Sequence, residues 1–388
     1  MRPIAVKPAR FPWYDYARYS FSLGLKAGTT VYLSGHTASE HDAATSRMVV
    51  KGGMAAQTRT AYAKIGAVLE GAGLGFGDVV RVVEYVKPEG IERYAEAAQV
   101  RAEVFGRHQP AVNTVPVKAL LRPEAFIEIE VTAGEAGPAT GFGAGLPGPR
   151  ESAGVVFLPS LQPVDGQGNV IGAGDVVAQT EAVFAKARSM LAALGLGFDA
   201  VVKTLDYITP AALANYKLTG RVRKAQLGPV YPAAAGILMP RLLHPDALIQ
   251  YDFIASRDRP VAVNPGWSRY ERLTYSPGVR AGKLLFLSGQ GSLDPASERM
   301  LHAGDVVAQA EYTYANIIKV VEAAGGNAGS LVKTIEYVTP AALPRYREVA
   351  GVRAKLLSEP FPASTGLVCE ALLRPEMLIE VDPFAVLD

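Results

Sequence analysis

The sequence has a single cysteine, Cys369, and five histidines among its 388 residues. One cysteine excludes an internal disulfide framework and a cysteine-based metal cluster. The histidines show no metal-ligand spacing and no dinucleotide fingerprint is present, so we expect no metal and no other cofactor. A glycine-rich stretch at residues 143–148 matches a phosphate loop in composition only and lies in a predicted linker.

The sequence also lacks a large excess of charge of one sign, and it lacks long apolar runs. The net charge is +2, which gives no electrostatic basis for binding nucleic acid or an anionic membrane. The N-terminal residues contain no apolar signal-peptide core, and no apolar run reaches membrane-spanning length. We therefore expect a cytoplasmic protein whose partner is a small-molecule metabolite, with no nucleic-acid and no membrane partner.

The chain instead contains one pattern three times. Three tyrosines recur at intervals of 122 and 130 residues (207 − 85 and 337 − 207), namely Tyr85, Tyr207 and Tyr337. Three arginines recur at the same intervals, namely Arg101, Arg223 and Arg353. A common register over several positions indicates triplication, and units of this length are of ordinary domain size. The predicted domains are 1–135 with an N-terminal arm, 150–257, which is the most diverged, and 262–388, joined by Gly/Pro-rich linkers.

Each unit shows the same order of predicted elements. In the second unit a strand precedes a helix that begins after Asp175, a suitable N-cap, and ends at Gly195-Leu-Gly197. The next strand, Val201 to Ile208, alternates with a period of two, so one side-chain set should be buried and the other partly wet. A proline opens a second helix, and two further strands surround a turn. The order β, β, α, β, α, β, β predicts an α+β fold with helices on one face of a mixed sheet.

Three stretches carry a resemblance to a known family: Asp305-Val-Val-Ala-Gln, Val332-Lys-Thr-Ile-Glu-Tyr-Val-Thr-Pro and Leu372-Leu-Arg-Pro-Glu. They resemble the Rid (YjgF-like) family, and the resemblance covers nearly the whole chain, three times. It implies compact units of chorismate-mutase-like topology that form trimers with a ligand cleft at each interface. Three tandem units in one chain imply an intramolecular pseudo-trimer, with domains that pack on each other within a monomer.

The resemblance also reveals a departure from the family. Members that hydrolyse enamines and imines carry an arginine directly after a Pro-Ala pair, where it holds the substrate carboxylate. The matching positions here are Val112, Ala234 and Ser364. None of these side chains makes the bidentate ion pair of an arginine, which calls the usual deaminase function into question in all three clefts.

The acidic residue of the family's last strand persists as Glu128 and Glu380, and the resemblance implies that it positions the attacking water. These two residues are the predicted catalytic residues. In the second unit the position is Gln250, which cannot act as a general base. The alternative is that both acids lie on a solvated sheet face, since each alternates with apolar neighbours along its strand.

The three recurring arginines, Arg101, Arg223 and Arg353, are the candidates for anchoring a substrate anion. The alternative is that each complements the dipole of the helix end that it occupies. Three further residues, Thr114, Asn113 and Thr365, lie near the Pro-Ala pairs, where they either bind a ligand or make strand-edge hydrogen bonds. Tyr337 is a further substrate-binding candidate, with a core tyrosine as its alternative. His36 takes the place of Gln290 and either lines one cleft or lies in a loop.

Three functions remain open at this point. The first is a Rid-like enzyme that acts on a small carbonyl, imine or enamine by hydrolysis or deamination, with Glu380 or Glu128 positioning water and Arg353 or Arg101 holding an anionic group. The second is a chorismatase-like hydrolase or lyase acting on a cyclic enol ether acid. The third is a non-catalytic protein that binds a small metabolite. Loss of turnover with retained ligand binding in Glu380→Gln separates an enzyme from a binding protein.

Overall fold

The computed structural model describes residues 2–135 and 148–388. All but the last residue of the glycine-rich stretch 143–148 therefore lies outside the described residues. Within those two ranges, no helix is both long enough and apolar enough to cross a membrane.

The helices and strands follow the three sequence repeats. The first repeat contains β1 (Ile4–Ala5), β2 (Gly24–Ala27), β3 (Thr30–Leu33), β4 (Ser39–Asp42), β5 (Arg47–Val50), α1 (Met54–Gly71), β6 (Val79–Val86), α2 (Pro88–Ile91), α3 (Tyr94–Phe105), β7 (Ala111–Pro116), β8 (Ala119–Leu120) and β9 (Ile127–Ala133). The second contains β10 (Arg150–Ser152), β11 (Val155–Phe157), α4 (Val176–Ala193), β12 (Val201–Ile208), α5 (Leu213–Tyr216), α6 (Gly220–Gln226), β13 (Ala233–Leu238) and β14 (Ile249–Ser256). The third contains β15 (Val261–Val263), β16 (Gly278–Ala281), β17 (Leu284–Leu287), β18 (Gln290–Gly291), α7 (Val306–Ala323), β19 (Leu331–Val338), α8 (Val349–Leu356), β20 (Ala363–Val368), β21 (Ala371–Leu372) and β22 (Ile379–Val386).

Local sequence signals explain where the long helices begin and end. Asp175 caps α4 by accepting hydrogen bonds from the backbone N–H groups of Val177 and Ala178, as predicted. Asp305 caps α7 in the same way. After α4 the chain turns at Gly195, whose φ of 68° is a left-handed conformation that glycine adopts without strain.

Each repeat builds one mixed sheet around its central strand. The sheet orders are β1-β2-β3-β9-β6-β7, β10-β11-β14-β12-β13-β21 and β15-β16-β17-β22-β19-β20-β8. The central strands β6, β12 and β19 pair in parallel with the strand that follows the second helix and antiparallel with the last strand of the repeat. The two strands that flank the predicted turn therefore lie on opposite sides of the central strand and do not pair with each other.

The prediction of a partly wet strand face is wrong. All eight residues of β6, β12 and β19 are buried. The helices cover one face of each sheet, and the other faces of the three sheets pack against one another in shared apolar clusters. Two short strands also cross between repeats, because β8 joins the third sheet and β21 joins the second.

Three buried ion pairs close the three repeats into a ring. They are Arg81–Asp252 at 3.1 Å, Lys203–Asp382 at 2.6 Å and Lys333–Glu130 at 2.6 Å. Each cation lies on the central strand of one repeat, and each anion lies on the last strand of the next. Because a buried charge is costly without its partner, losing either member of a pair would destabilise the interface that contains it. The three repeats form the intramolecular pseudo-trimer that the resemblance implied.

Candidate active site at the domain interfaces

The ring creates three interdomain clefts, and the positions after the Pro-Ala pairs lie in them. The backbone N–H groups of Gly35, Gly289 and Ser160 donate to the carbonyl oxygens of Ser364, Ala234 and Val112, at 3.3, 3.0 and 3.2 Å. We name each cleft by the residue that the last strand contributes. The Glu128 cleft joins repeats one and three, the Glu380 cleft joins three and two, and the Gln250 cleft joins two and one.

A glycine allows each acidic side chain to approach the facing loop. The Glu380 carboxylate lies against Gly289, and the Glu128 carboxylate lies against Gly35. A Cβ atom at either glycine would collide with the neighbouring carboxylate oxygen. Gly35 and Gly289 therefore make room for the two candidate catalytic groups.

Burial changes the chemistry of both acids. Glu380 and Glu128 are each 7% exposed. Burial, with a smaller contribution from Asp382 and Asp206, raises the pKa of Glu380 to about 8 against the opposing charge of Lys203. Burial is also the main cause that raises the pKa of Glu128 to about 8. At neutral pH each group is mostly a neutral acid that can donate a proton, and it remains close enough to its pKa to take one back.

The Glu380 cleft contains a cavity of about 410 Å³. Its lining combines the Glu380 carboxyl with the guanidinium groups of Arg223 and Arg269 and the rings of Tyr270 and Tyr275. An apolar wall completes it, formed by Leu213, Leu273, Leu293, Leu373 and Met377. A cavity with a few convergent polar groups and a carboxyl of raised pKa has the properties of a ligand site.

The recurring arginines form ion pairs with buried acids. Arg353 donates to both carboxylate oxygens of Glu336 at 2.6 and 2.7 Å. Arg223 donates to Asp206 at 3.3 Å, and Arg101 pairs with Glu84. A tyrosine hydroxyl completes each group by donating to the same carboxylate, from Tyr346, Tyr216 and Tyr94 respectively. Arg223 and Arg353 also lie in the last turn of α6 and α8, where a positive charge complements the helix dipole.

The structure also shows which recurring arginine shares a cleft with which acid. Arg101 shares its cleft with Gln250 and with neither acid. Arg353 belongs to the Glu128 cleft, where its Nε donates to Ser20 Oγ at 3.3 Å. Of the three recurring arginines, the one that lines the Glu380 cavity is Arg223, from the most diverged repeat. An acid and an arginine of the same repeat lie in different clefts, because each cleft is built from two neighbouring repeats.

Thr365 lies in the Glu128 cleft, but its hydroxyl is already engaged. Its Oγ1 accepts hydrogen bonds from Gly35 N at 3.0 Å and from Lys333 Nζ at 2.8 Å. It also donates to Glu130. Thr365 therefore joins two repeats, and its predicted contact with a ligand would compete with these bonds.

The other predicted binding residues lie away from the Glu380 cavity. Thr114 Oγ1 is 2.6 Å from the hydroxyl of Tyr94. Asn113 is fully buried, where its Oδ1 accepts from Arg81 at 3.3 Å. Tyr337 is also fully buried, and its hydroxyl lies 3.0 Å from that of Tyr207 in the core between the repeats. Tyr337 is thus a core tyrosine, and its predicted contact with substrate does not fit this position.

In the Gln250 cleft the side chains of the last strand and of the facing loop bond to each other, beside a pocket of about 170 Å³ lined by Arg101 and Val112. Gln250 is fully buried, and its Nε2 donates to Thr114 O at 3.0 Å and to Ser160 Oγ at 2.9 Å. Ser160 occupies the place that glycine has in the other two clefts, and its hydroxyl donates to Asp252 at 2.6 Å. This cleft offers neither a base nor the space that the glycine provides.

Aromatic residues of the N-terminal arm pack into the Glu128 cleft. The rings of Phe11 and His36 are 6.1 Å apart. Burial, aided by Lys64 and Lys333, lowers the pKa of His36 to about 3, so that the imidazole is neutral. Neither ring nitrogen has a hydrogen-bond partner among the described residues. The sequence left open whether this histidine lines a cleft, and the structure places it in the position equivalent to Gln290, which lines the Glu380 cavity.

Comparison with known proteins places this geometry in a family. The model of the family described as Endoribonuclease L-PSP matches residues 15–135 and 270–387, more than half of the chain. The chain belongs to this family. It is the Rid (YjgF-like) family that the sequence motifs resemble.

Individual relatives match single repeats or the whole fold. A RutC family protein of Pyrococcus horikoshii is 35% identical over 113 residues, 29% of this chain and 85% of that protein. The 2-iminobutanoate/2-iminopropanoate deaminase of Salmonella typhimurium is 32% identical over 136 residues, 34% of this chain and 95% of the deaminase. A crystal structure of a chorismatase superposes with a TM-score of 0.56 at 16% identity, covering 80% of this chain and 93% of that one. This last likeness concerns the fold alone.

The middle repeat has a particular place in this Rid protein. It lies outside both ranges that the family model matches, yet it supplies Arg223 and Ala234 to the Glu380 cavity. No group of three or more His, Cys, Asp or Glu side chains in the described part of the chain is placed to hold a metal ion.

Proposed function

We propose that the protein is a Rid-type hydrolase that converts a small imine or enamine into a carbonyl compound and ammonia in the Glu380 cleft. The observation that carries this proposal is the Glu380 carboxyl, which is nearly buried, has a pKa raised to about 8, and borders a cavity of about 410 Å³. The similarity of one repeat to a protein named as a 2-iminobutanoate/2-iminopropanoate deaminase supports the reaction class.

Because its pKa is raised, Glu380 is protonated at the start of the reaction and acts as the proton donor in the first step. Its carboxyl donates a proton to the imine nitrogen while the oxygen of a water molecule adds to the imine carbon and returns a proton to the carboxylate. The C–N bond of the resulting carbinolamine then breaks with its electron pair on nitrogen. The hydroxyl proton passes through Glu380 to that nitrogen, so the products are the carbonyl compound and ammonia. A group whose pKa lies near the working pH performs both transfers.

The three clefts differ in what they offer this reaction. The Gln250 cleft has an amide in place of the last-strand acid, and that amide is fixed by two hydrogen bonds. The Glu128 cleft has the acid, but aromatic side chains of the N-terminal arm pack beside it. We therefore place the main activity in the Glu380 cleft.

The experiment measures ammonia release from imines that an amino acid oxidase generates in situ, with catalase present to remove peroxide. We expect the wild-type protein to accelerate release above the spontaneous rate. Glu380→Gln should lose the acceleration, because glutamine keeps the shape but transfers no proton, and the matched Glu128→Gln should keep most of it. Equal loss in both variants would contradict a single main site.

No acceleration by wild-type protein on any imine would refute the deaminase proposal. A cyclic enol ether acid of the chorismate type is then the next substrate to assay. Saturable binding of such acids without any product would establish the non-catalytic alternative.

We also propose that one chain is the functional unit, since the three interdomain ion pairs close the ring within it. Sedimentation velocity should give a single species of 41.1 kDa. A concentration-independent dimer would contradict this proposal.

A further inference from the structure

The segment that leads into the third repeat brings an unpaired arginine to the Glu380 cavity. Arg269 lies on a short 3₁₀ helix, Ser268–Arg272, and lines the cavity. Its Nε, like that of Arg223 in the same cavity, is buried and has no hydrogen-bond partner within residues 2–135 and 148–388. Its guanidinium lies 5.2 Å from the centre of the Tyr270 ring. A buried donor without a partner is costly unless a ligand satisfies it.

The equivalent segment of the first repeat has the opposite charge at this position. Ser34 Oγ donates to Ser22 O, and Ser288 Oγ donates to Ser276 O, so the two lead-in segments align at a spacing of 254 residues (276 − 22 and 288 − 34). At this spacing Asp15 is the counterpart of Arg269 (269 − 254). Asp15 is exposed and pairs with Arg18 on its own segment. The Glu380 cleft is therefore the one that gains a cation from its lead-in segment.

Other groups of the cavity surround the same space. Burial raises the pKa of Tyr275, and the charges that act on its hydroxyl are those of Arg269, Glu380, Arg223 and Arg374. Arg269 and the candidate proton donor thus lie near one ring. Ala234 also lines this cavity, and its methyl side chain leaves open the space that an arginine at this position would occupy.

The size and the apolar wall of the cavity limit the rest of the ligand. A volume of about 410 Å³ falls in the range of sites that hold ligands well above the size of an alanine-derived imine. The wall formed by Leu213, Leu273, Leu293, Leu373 and Met377 offers burial to an apolar group.

We propose that Arg269 binds the carboxylate of the substrate in the Glu380 cleft, and that the substrate is an imino or enamino acid with a large apolar or aromatic side chain. The anchoring arginine thus comes from the lead-in segment and replaces the one that is absent at Ala234. The assignment of the reaction as hydrolysis of an imine or enamine rests on the proposed function. The carboxylate site and the apolar wall are tested by binding alone.

The two tryptophans of the chain make the binding test specific for one cleft. Trp13 and Trp267 each lie in one lead-in segment, and Trp267 stacks on Tyr270 with ring centres 5.9 Å apart. A Trp13→Phe background leaves Trp267 as the single reporter beside Arg269. The probes are 3-phenylpropanoate, its neutral amide 3-phenylpropanamide, and propanoate, each titrated against tryptophan fluorescence.

We expect saturable binding of 3-phenylpropanoate. The amide should bind about tenfold or more weakly, because it lacks the charge for a charge-assisted bidentate contact with the arginine. Propanoate should also bind about tenfold or more weakly, because it lacks the ring that becomes buried. Arg269→Gln should weaken the acid about tenfold or more and leave the amide unchanged. Arg269→Lys should lie between the two, because lysine keeps the charge without the bidentate geometry. The matched control is Arg18→Gln, on the other lead-in segment, which should change nothing.

Several results would overturn the inference. Unchanged affinity for the acid in Arg269→Gln excludes the anchor, as does an amide that binds as tightly as the acid. Propanoate bound as tightly as 3-phenylpropanoate excludes the large apolar substrate. Binding as expected without ammonia release would refute the proposed function only. Ammonia release that is unaffected by Arg269→Gln would refute the anchor and leave the proposed function intact.

Discussion

The buried Glu380 carboxyl should make the stability of the protein depend on pH, and Glu380→Gln should remove this dependence. The pKa is raised from 4.5 to about 8, mainly by burial. Between these two values the folded protein holds one proton more than the unfolded chain, so each rise of one pH unit destabilises the fold by about 1.4 kcal/mol. Below pH 4.5 both states are protonated, and above pH 8 both are ionised, so the effect is confined to this window.

The full linkage over this window amounts to about 5 kcal/mol, from about 1.4 kcal/mol per pH unit. Local rearrangement around the ionised group reduces the effect, and we expect about 3 kcal/mol. The free energy of unfolding of Glu380→Gln should therefore equal that of wild type near pH 5 and exceed it by about 3 kcal/mol near pH 9, because glutamine stays neutral throughout.

Urea unfolding followed by tryptophan fluorescence at pH 5, 6, 7, 8 and 9 measures this difference. Comparing the variant with wild type at each pH cancels the titration of all other groups. The control is Glu103→Gln, at an exposed carboxylate paired with Arg59, which should stay within about 0.5 kcal/mol of wild type at every pH. A difference between Glu380→Gln and wild type that does not change from pH 5 to pH 9 would refute the reasoning, since the carboxyl would then titrate alike in both states.

Three further predictions concern activity and the ring of repeats. The rate of ammonia release should fall as the pH rises through about 8, where Glu380 loses its proton. A rate that rises through this range would show that the ionised Glu380 carboxylate acts in the first step of the reaction. Lys203→Met should lower the free energy of unfolding by about 3–5 kcal/mol, because it leaves a buried carboxylate unpaired. The control Arg59→Met, in an exposed pair, should lower it by less than about 1 kcal/mol in the same urea titration. Similar losses in both variants would contradict a stabilising role of the buried ion pairs between repeats. Gly289→Ala should reduce ammonia release about tenfold or more, because the added Cβ displaces the Glu380 carboxylate. The control Gly77→Ala, at a position with open space around it, should leave ammonia release unchanged. Full activity of Gly289→Ala would show that the position of the carboxylate is unimportant.

The fold of each repeat followed closely from local patterns. The predicted strand Val201–Ile208 has the bounds seen in the structure. Asp175 caps its helix as the sequence indicated. Such features depend on neighbours along the chain, which the sequence displays directly. Complete burial of the strands was not predictable from alternation, because the covering face comes from the other two repeats.

The candidate site was only partly predictable. Glu380 and Glu128 came from the family resemblance, and the structure places both in clefts with raised pKa values. The grouping of Glu336, Tyr346 and Arg353 was missed, although it leaves a signal in the sequence. An acid, a tyrosine ten residues later and an arginine seven residues after that recur in all three repeats (346 − 336 and 353 − 346). Arg269 gave no such signal, since its counterpart in the other lead-in segment is Asp15.

The sequence alone determined that one α+β unit occurs three times, where its helices and strands lie, and which acids survive on the last strand. Spacing and periodicity carry that information, because they arise from contacts within each repeat. Only the tertiary structure decided that Glu380 meets Arg223 and Arg269 while Glu128 meets Arg353. Each cleft forms between two repeats, and the interfaces contain ion pairs between distant residues such as Lys203 and Asp382. No local pattern records these pairings, since they exist only once the three sheets pack together.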